Sequence, residues 1–236
     1  MCGRYTFTPG NLSLFAERFG VGGVAPEAAG YNIAPGRAVA TVTDNADGAR
    51  SSRLMHWGLL PEWASRTERQ YKMINARAET VLEKRAYRTL LDGNRCLIPA
   101  DGFYEWQTRE DGAKRPYWFH LASEELFAFA GLWTESRLED DGEPLLSCTI
   151  LTTGANDVVS PVHHRMPLML NEASESAWLD SSLGATDALA ALSGTSNGAL
   201  IARPVSRAVS STANQGAQCI AEDDSDHGET APGALF

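Results

Sequence analysis

The sequence predicts an α+β fold. Short apolar or alternating segments bounded by turn residues share the chain with a few segments of helical spacing, and no long strand-helix-strand alternation runs through it. In chain order, residues 11–19 open on Asn11, a cap-like start, and read as a helix. Residues 38–43 alternate and read as a strand, and residues 78–91 show helical spacing. Residues 95–99 form a short apolar strand. Phe103-Tyr104-Glu105-Trp106-Gln107 and Pro116-Tyr117-Trp118-Phe119 flank Asp111-Gly112 as a hairpin, with strand character continuing over 117–121. Residues 126–133 and 145–152 complete the strands, and 171–179 and 186–192, which start on Asn171 and Thr186, complete the helices. Helices thus surround a strand-rich centre.

At 236 residues the chain is long enough to bury a full core, and its 43% hydrophobic and 21% charged content reads as an ordinary soluble protein. One domain is expected over residues 1–220. Residues 221–236 hold five acidic side chains, no Lys or Arg, and too few apolar residues to pack, so an acidic, disordered tail is expected. No apolar run approaches the roughly 18 residues of a membrane span, and the N-terminus lacks signal-peptide regions, so a cytoplasmic protein is expected. Cys2, Cys96, Cys148 and Cys219 are widely spaced with no CxxC pair, which indicates reduced thiols rather than a disulfide framework or zinc site. No phosphate-binding glycine loop and no internal repeat is present.

A net charge of −10 argues at first sight against a nucleic-acid partner. The tail carries half of that surplus, however. Residues 66–95 hold eight basic residues (Arg66, Arg69, Lys72, Arg77, Lys84, Arg85, Arg88, Arg95) against four acidic ones. Such a stretch is either a basic patch or a solvated helix face with ordinary salt bridges.

Cys2 is the most unusual position. A small second residue permits removal of Met1, which places a thiol and an α-amine on one residue. With reference pKa values of about 8.5 and about 7.7–8.0, both keep unprotonated fractions near neutral pH. The pair suits an aldehyde: the amine forms a Schiff base, and the thiol closes a five-membered thiazolidine. The alternative is an inert cysteine that happens to follow Met1.

Glu105 lies on the strand face shared by Phe103 and Gln107, where desolvation would raise its carboxyl toward acid-base use; the alternative is a salt-bridged structural glutamate. His163 and His164 stand beside Arg165 in Val162-His163-His164-Arg165-Met166-Pro167. Neighbouring histidines in an extended chain point to opposite sides, so one is functional and the other exposed, or either is a satisfied structural residue. Asn75 and Arg77, two apart in an extended entry, face one surface, where Asn75 can orient a carbonyl or hydroxyl and Arg77 a phosphate; internal capping is the alternative. Trp57 and Trp63 either stack on bases or belong to the core.

Taken together, Met1-Cys2-Gly3-Arg4-Tyr5, Tyr31-Asn32-Ile33-Ala34-Pro35-Gly36, Trp57-Gly58-Leu59, Asn75-Ala76-Arg77-Ala78-Glu79-Thr80, Gly102-Phe103-Tyr104-Glu105-Trp106, His163-His164-Arg165-Met166-Pro167, and Val205-Ser206 through Asn214-Gln215-Gly216 resemble the SOS-response-associated peptidase (SRAP) family. The seven ordered blocks run from residue 2 to residue 216. The resemblance implies an α+β fold around a β-barrel-like mixed sheet, and an enzyme that crosslinks itself to abasic sites in single-stranded DNA. It implies that Cys2 is the nucleophile, Asn75 positions the sugar, Glu105 transfers protons, and His163 assists ring opening and reversal. Arg4, Arg77, Arg85 and Arg165 match phosphate-contacting positions, and Trp63 matches an aromatic beside the DNA. Self-cleavage exposing Cys2 and a peptidase activity are also linked to the family.

The chain departs from the pattern in its acidic tail, in Glu139-Asp140-Asp141-Gly142-Glu143, and in its charge, which can weaken salt-dependent phosphate binding. The expected partner is single-stranded DNA containing abasic sites, bound by a monomer with no membrane, metal or small-molecule cofactor. Two rivals stand beside this: a thiol peptidase using Cys2, and a non-covalent DNA-binding module.

Overall fold

Five strands close into a mixed barrel in the computed structural model, which describes residues 2–45, 48–61, 63, 73–137, 144–192 and 199–223. Met1, Arg66, Arg69, Lys72, the acidic loop at 139–143 and the tail beyond residue 223 lie outside the described residues. The barrel strands are β3 (Ala38–Asp44), β4 (Arg50–Trp57), β6 (Arg95–Ala100), β9 (Phe127–Ser136) and β10 (Leu145–Gly154). Antiparallel pairing runs from β4 through β3, β6 and β9 to β10, and a parallel pairing of β10 with β4 closes the ring. The strand segments expected at 38–43, 95–99, 117–121 and 145–152 fall within observed strands, and that at 126–133 does so from Phe127 onward.

A second, antiparallel sheet of order β13-β8-β7-β1-β2 lies against the barrel, built from β1 (Tyr5–Phe7), β2 (Gly30–Ile33), β7 (Gly102–Thr108), β8 (Lys114–Leu121) and β13 (Leu200–Pro204). The contact is aromatic. Phe103 of β7 stacks on Phe119 of β8 and meets Phe129 of β9 edge-on, while Tyr5 of β1 sits edge-on to both Phe129 and Trp57. Gly102 is required at the root of the β7–β8 hairpin, since a Cβ there would lie 2.1 Å from Trp118 Nε1 and 2.9 Å from the Phe119 carbonyl oxygen.

Helices flank these sheets. The first, α1 (Leu12–Phe19), follows a 3-10 turn at Pro9–Asn11 and ends on Gly20, whose φ of 66° supplies the left-handed cap. α3 (Glu172–Leu179) starts from Asn171, which exchanges capping hydrogen bonds with Ser174, and α4 is Ala185–Ala190. The helix expected over 78–91 breaks into a 3-10 turn at Ala78–Thr80 and one turn of helix, α2 (Arg85–Arg88), with Lys84 extended between them. Packing explains the break: Val81 and Tyr87 are both buried, yet six residues apart they would lie on different faces of one continuous helix.

Candidate active site

The far end of β10 gathers the site. β4 leaves β10 after Trp57, opposite Cys148, and β5 (Asn75–Arg77) takes over the same edge, with Asn75 opposite Ile150 and Arg77 opposite Thr152. On the other edge of Thr152 runs β11 (Arg165–Pro167), and β12 (Met169–Leu170) then turns onto β9. The second sheet brings β1 alongside β7. Tyr5 faces Phe103, and the Tyr104 N–H donates to the Arg4 carbonyl (3.0 Å), so residues 2–4 extend along Glu105.

Cys2 is fully buried. Its carbonyl accepts a 2.8 Å hydrogen bond from Asn75 Nδ2, and its thiol points to the Arg4 carbonyl oxygen at 3.7 Å. Burial, reinforced by the negative charge of Glu105, pushes the thiol far above its ordinary pKa. Asn75 Oδ1 is buried without a hydrogen-bond partner, an acceptor held ready at a site two side chains share. Ala76 faces the core while Arg77 is exposed, so Asn75 and Arg77 occupy the face opposite Ala76, as their spacing of two implies.

Glu105 is 4% exposed. Burial raises its carboxyl pKa, with the positive amino terminus of the chain and His163 pulling the other way. Its Oε1 lies 3.8 Å from His163 Nδ1. That nitrogen also lies 3.1 Å from the Arg165 N–H and 3.0 Å from the Arg165 carbonyl, so a proton on the imidazole has both a carboxylate and a backbone oxygen to face. The two histidines do not point to opposite sides: His163 and His164 stack with centroids 4.5 Å apart. The segment is a turn rather than a strand, closed by His163 N–H on the Val159 carbonyl, and His164 is the exposed member. The His163 charge lowers the pKa of His164.

The remaining residues divide. Arg77, on the Asn75 face of β5, and Arg85, which opens α2, are exposed, and Trp63 is 60% exposed, whereas Trp57 is core, donating its indole N–H to the Ile74 carbonyl. Arg4 instead spends Nη1 on Asn32 Oδ1 (2.7 Å) and the Val209 carbonyl (2.8 Å). Buried Asn32 donates in turn to the carbonyls of Val209, Ser211 and Asn214, which straps the C-terminal segment over β2. Arg165 forks onto Glu79, with Nη1 to Oε1 at 2.7 Å and Nη2 to Oε2 at 2.9 Å, and Nη2 also reaches Thr152. Asn32, Glu79 and Thr152 escaped the sequence reading. Asn32 and Glu79 stand inside conspicuous motifs, but their partners are 28 to 182 residues away in the chain. Among the described residues no group of three or more His, Cys, Asp or Glu side chains is placed to hold a metal ion.

Several known proteins resemble this chain. Abasic site processing protein YoqW of Bacillus subtilis is 41% identical over 183 residues, covering 76% of this chain and 80% of its own length. Abasic site processing protein HMCES of Gallus gallus is 37% identical over 191 residues; the match takes in 70% of this chain and 56% of that longer protein. A crystal structure of a Bacteroides thetaiotaomicron protein superposes with a TM-score of 0.81 at 22% identity, covering 94% of this chain and all of its own, and so shares the fold. A Bordetella bronchiseptica protein superposes at 0.74 with 25% identity, covering 87% of this chain and all of its own. The family model described as SOS response associated peptidase (SRAP) matches residues 1–212, and the chain belongs to that family.

Proposed function

We propose that this protein captures abasic sites in single-stranded DNA as a covalent adduct of Cys2. The relatives' names, abasic site processing protein, supply the substrate class. The observation that carries the chemistry is the 2.8 Å hydrogen bond from Asn75 to the Cys2 carbonyl, at a residue whose thiol feels the charge of Glu105, itself 3.8 Å from His163.

Hydrolysis of the Met1–Cys2 bond frees the Cys2 amine. The ring-opened deoxyribose of an abasic site presents an aldehyde at C1′, with His163 moving the proton that ring opening requires. The amine adds to C1′ and the carbonyl oxygen takes up a proton. Loss of water, assisted by a proton from the Glu105 carboxyl, gives an iminium. The Cys2 sulfur then bonds to C1′ as its proton passes to Glu105, and a thiazolidine results. One water leaves and no electron is gained or lost overall. Asn75 holds the Cys2 carbonyl throughout, and its free Oδ1 accepts a hydrogen bond from a sugar hydroxyl.

The order of attack follows from electrostatics. Burial and the Glu105 charge raise the Cys2 thiol pKa, which favours attack by the amine first and ring closure by the thiol second. The same raised pKa counts against a cysteine peptidase, which needs a ready thiolate. Arg77, Arg85 and Trp63 form the exposed surface for the strand.

A denaturing gel tests the proposal. The protein with Met1 removed, mixed with a single-stranded oligonucleotide carrying one abasic site, should give a heat-stable shifted band that an intact strand does not give. Cys2→Ala should abolish it; a band of undiminished yield in that variant would assign the nucleophile elsewhere.

A further inference from the structure

His163 stands in a turn that is well tied within itself. Residues 155–164 connect β10 to β11, and the Ala155 N–H donates to the His164 carbonyl (3.1 Å) to close the base. Inside the turn, Asn156 Oδ1 accepts from the N–H groups of Val158 and Val159. Val159 is fully buried, and its carbonyl accepts from the N–H groups of Val162 and His163 at 2.9 Å each. These bonds give the turn its shape. They do not set its distance from β7, the strand of Glu105.

Gln107 reaches across that gap. Two residues beyond Glu105 on β7, it lies on the same face, and its Nε2 donates to the Pro161 carbonyl at 3.2 Å, two residues before His163. The orientation of its amide is fixed by β8. Tyr117, opposite Glu105 in the strand register, donates its hydroxyl to Gln107 Oε1 at 3.4 Å, which leaves the amide nitrogen for Pro161. Both side chains are half-buried. The Glu105–His163 approach, at 3.8 Å, is longer than a hydrogen bond and constrains the imidazole loosely, so a directional bond beside it adds precision.

We infer that Gln107 is a positioning residue: by clasping Pro161 it sets the distance of His163 from Glu105, and Tyr117 in turn sets Gln107. The effect on rate rests on the crosslinking chemistry proposed above; the clasp itself does not. Gln107 acts through His163 rather than on the sugar.

Amide hydrogen exchange and crosslinking kinetics together test the clasp and its consequence. In Gln107→Met, which keeps length and bulk but cannot donate, the Val162 and His163 amides should exchange about fivefold faster, the effect of one neutral side-chain hydrogen bond, while amides of β6 and β9 keep their wild-type rates. The initial crosslinking rate at saturating abasic oligonucleotide should fall about tenfold, the scale of a sub-ångström misplacement given that 1 Å can cost about 10²-fold, with the half-saturating concentration unchanged. Tyr117→Phe should give a smaller loss of rate, and none beyond that of Gln107→Met when the two are combined. In a His163→Ala background Gln107→Met should slow the reaction no further, whereas a merely structural role would slow it again. If Gln107→Met loosens the whole fold, Gln107→Glu, which is nearly isosteric but presents no donor at neutral pH, decides by the same readouts. Unchanged exchange at Val162 and His163 overturns the clasp; an unchanged rate, or a further loss in the His163→Ala background, overturns the positioning. If the wild-type protein forms no crosslink at all, the proposed chemistry has failed, while the exchange rates still decide whether Gln107 holds the turn of His163.

Discussion

Two arginine–glutamate forks hold two regions of this molecule, and their burial sets them apart. Arg18 of α1 grips Glu175 of α3 through two bonds of 2.9 and 2.7 Å, with the Glu175 side chain 1% exposed. Arg165 grips Glu79 with the same geometry beside Cys2, Asn75 and His163, but there the carboxylate is half exposed. Removing one partner of a buried pair strands the other charge, so the group left behind sets the cost: loss of Arg18 leaves a Glu175 side chain that is 1% exposed, whereas loss of Glu79 leaves an Arg165 side chain that is 12% exposed and still bonded to Thr152. The Arg18–Glu175 fork is therefore structural, joining a helix to the barrel's flank, and the Arg165–Glu79 fork is one that a functional site can use.

The largest expected effect breaks the structural fork. Arg18→Met keeps the aliphatic stem but leaves Glu175 unpaired, and should cost about 3 kcal/mol of unfolding free energy by denaturant titration, against a smaller loss for Glu79→Gln, where the stranded guanidinium keeps its bonds to Thr152. Crosslinking per folded molecule should be unchanged in Arg18→Met; equal losses of stability in the two variants would remove the distinction.

Glu105→Gln comes next. It should slow crosslinking by about 10²-fold, the lower range for loss of a general acid-base. Stability should move the other way. Because burial raises the Glu105 pKa in the folded chain, its contribution is present in full below the ordinary carboxylate pKa and is lost as pH rises through the elevated value. Above that range Glu105→Gln should gain on the wild type in thermal melts, with little difference in acid. A variant less stable at neutral pH than at acid pH, relative to wild type, would contradict the raised pKa.

The smallest effect sharpens the contrast among the arginines. Arg77→Ala, at an exposed cation, should flatten the salt slope for single-stranded DNA by about 0.7, the value of one lost phosphate contact. An unchanged slope would remove Arg77 from the phosphate surface.

What the sequence made legible follows from how local each signal is. Strand alternation, the Asp111-Gly112 hairpin and the Asn171 cap depend on neighbours within a few residues, and the structure reproduces them. The shared face of Asn75 and Arg77 was likewise readable from a spacing of two, and the structure reproduces it. Long-range pairing was not. Arg4 and Arg165 look like Arg77 and Arg85 in the chain, and only folding brings Asn32 and Glu79 against them. Trp57 and Trp63, six residues apart, part company for the same reason, one packed against Tyr5 and the other in solvent. The barrel's closure also has no local signature, since it depends on β10 meeting β4 in parallel across some ninety residues of chain.

The intact mass of the protein after incubation with an abasic oligonucleotide tests the central claim most directly. Capture by the Cys2 amine and thiol predicts one species lacking Met1, equal to the summed masses of protein and oligonucleotide less one water, and stable under denaturing conditions without added reductant. An adduct that retains Met1, or a protein lacking Met1 that stays unmodified in excess abasic strand, would contradict it.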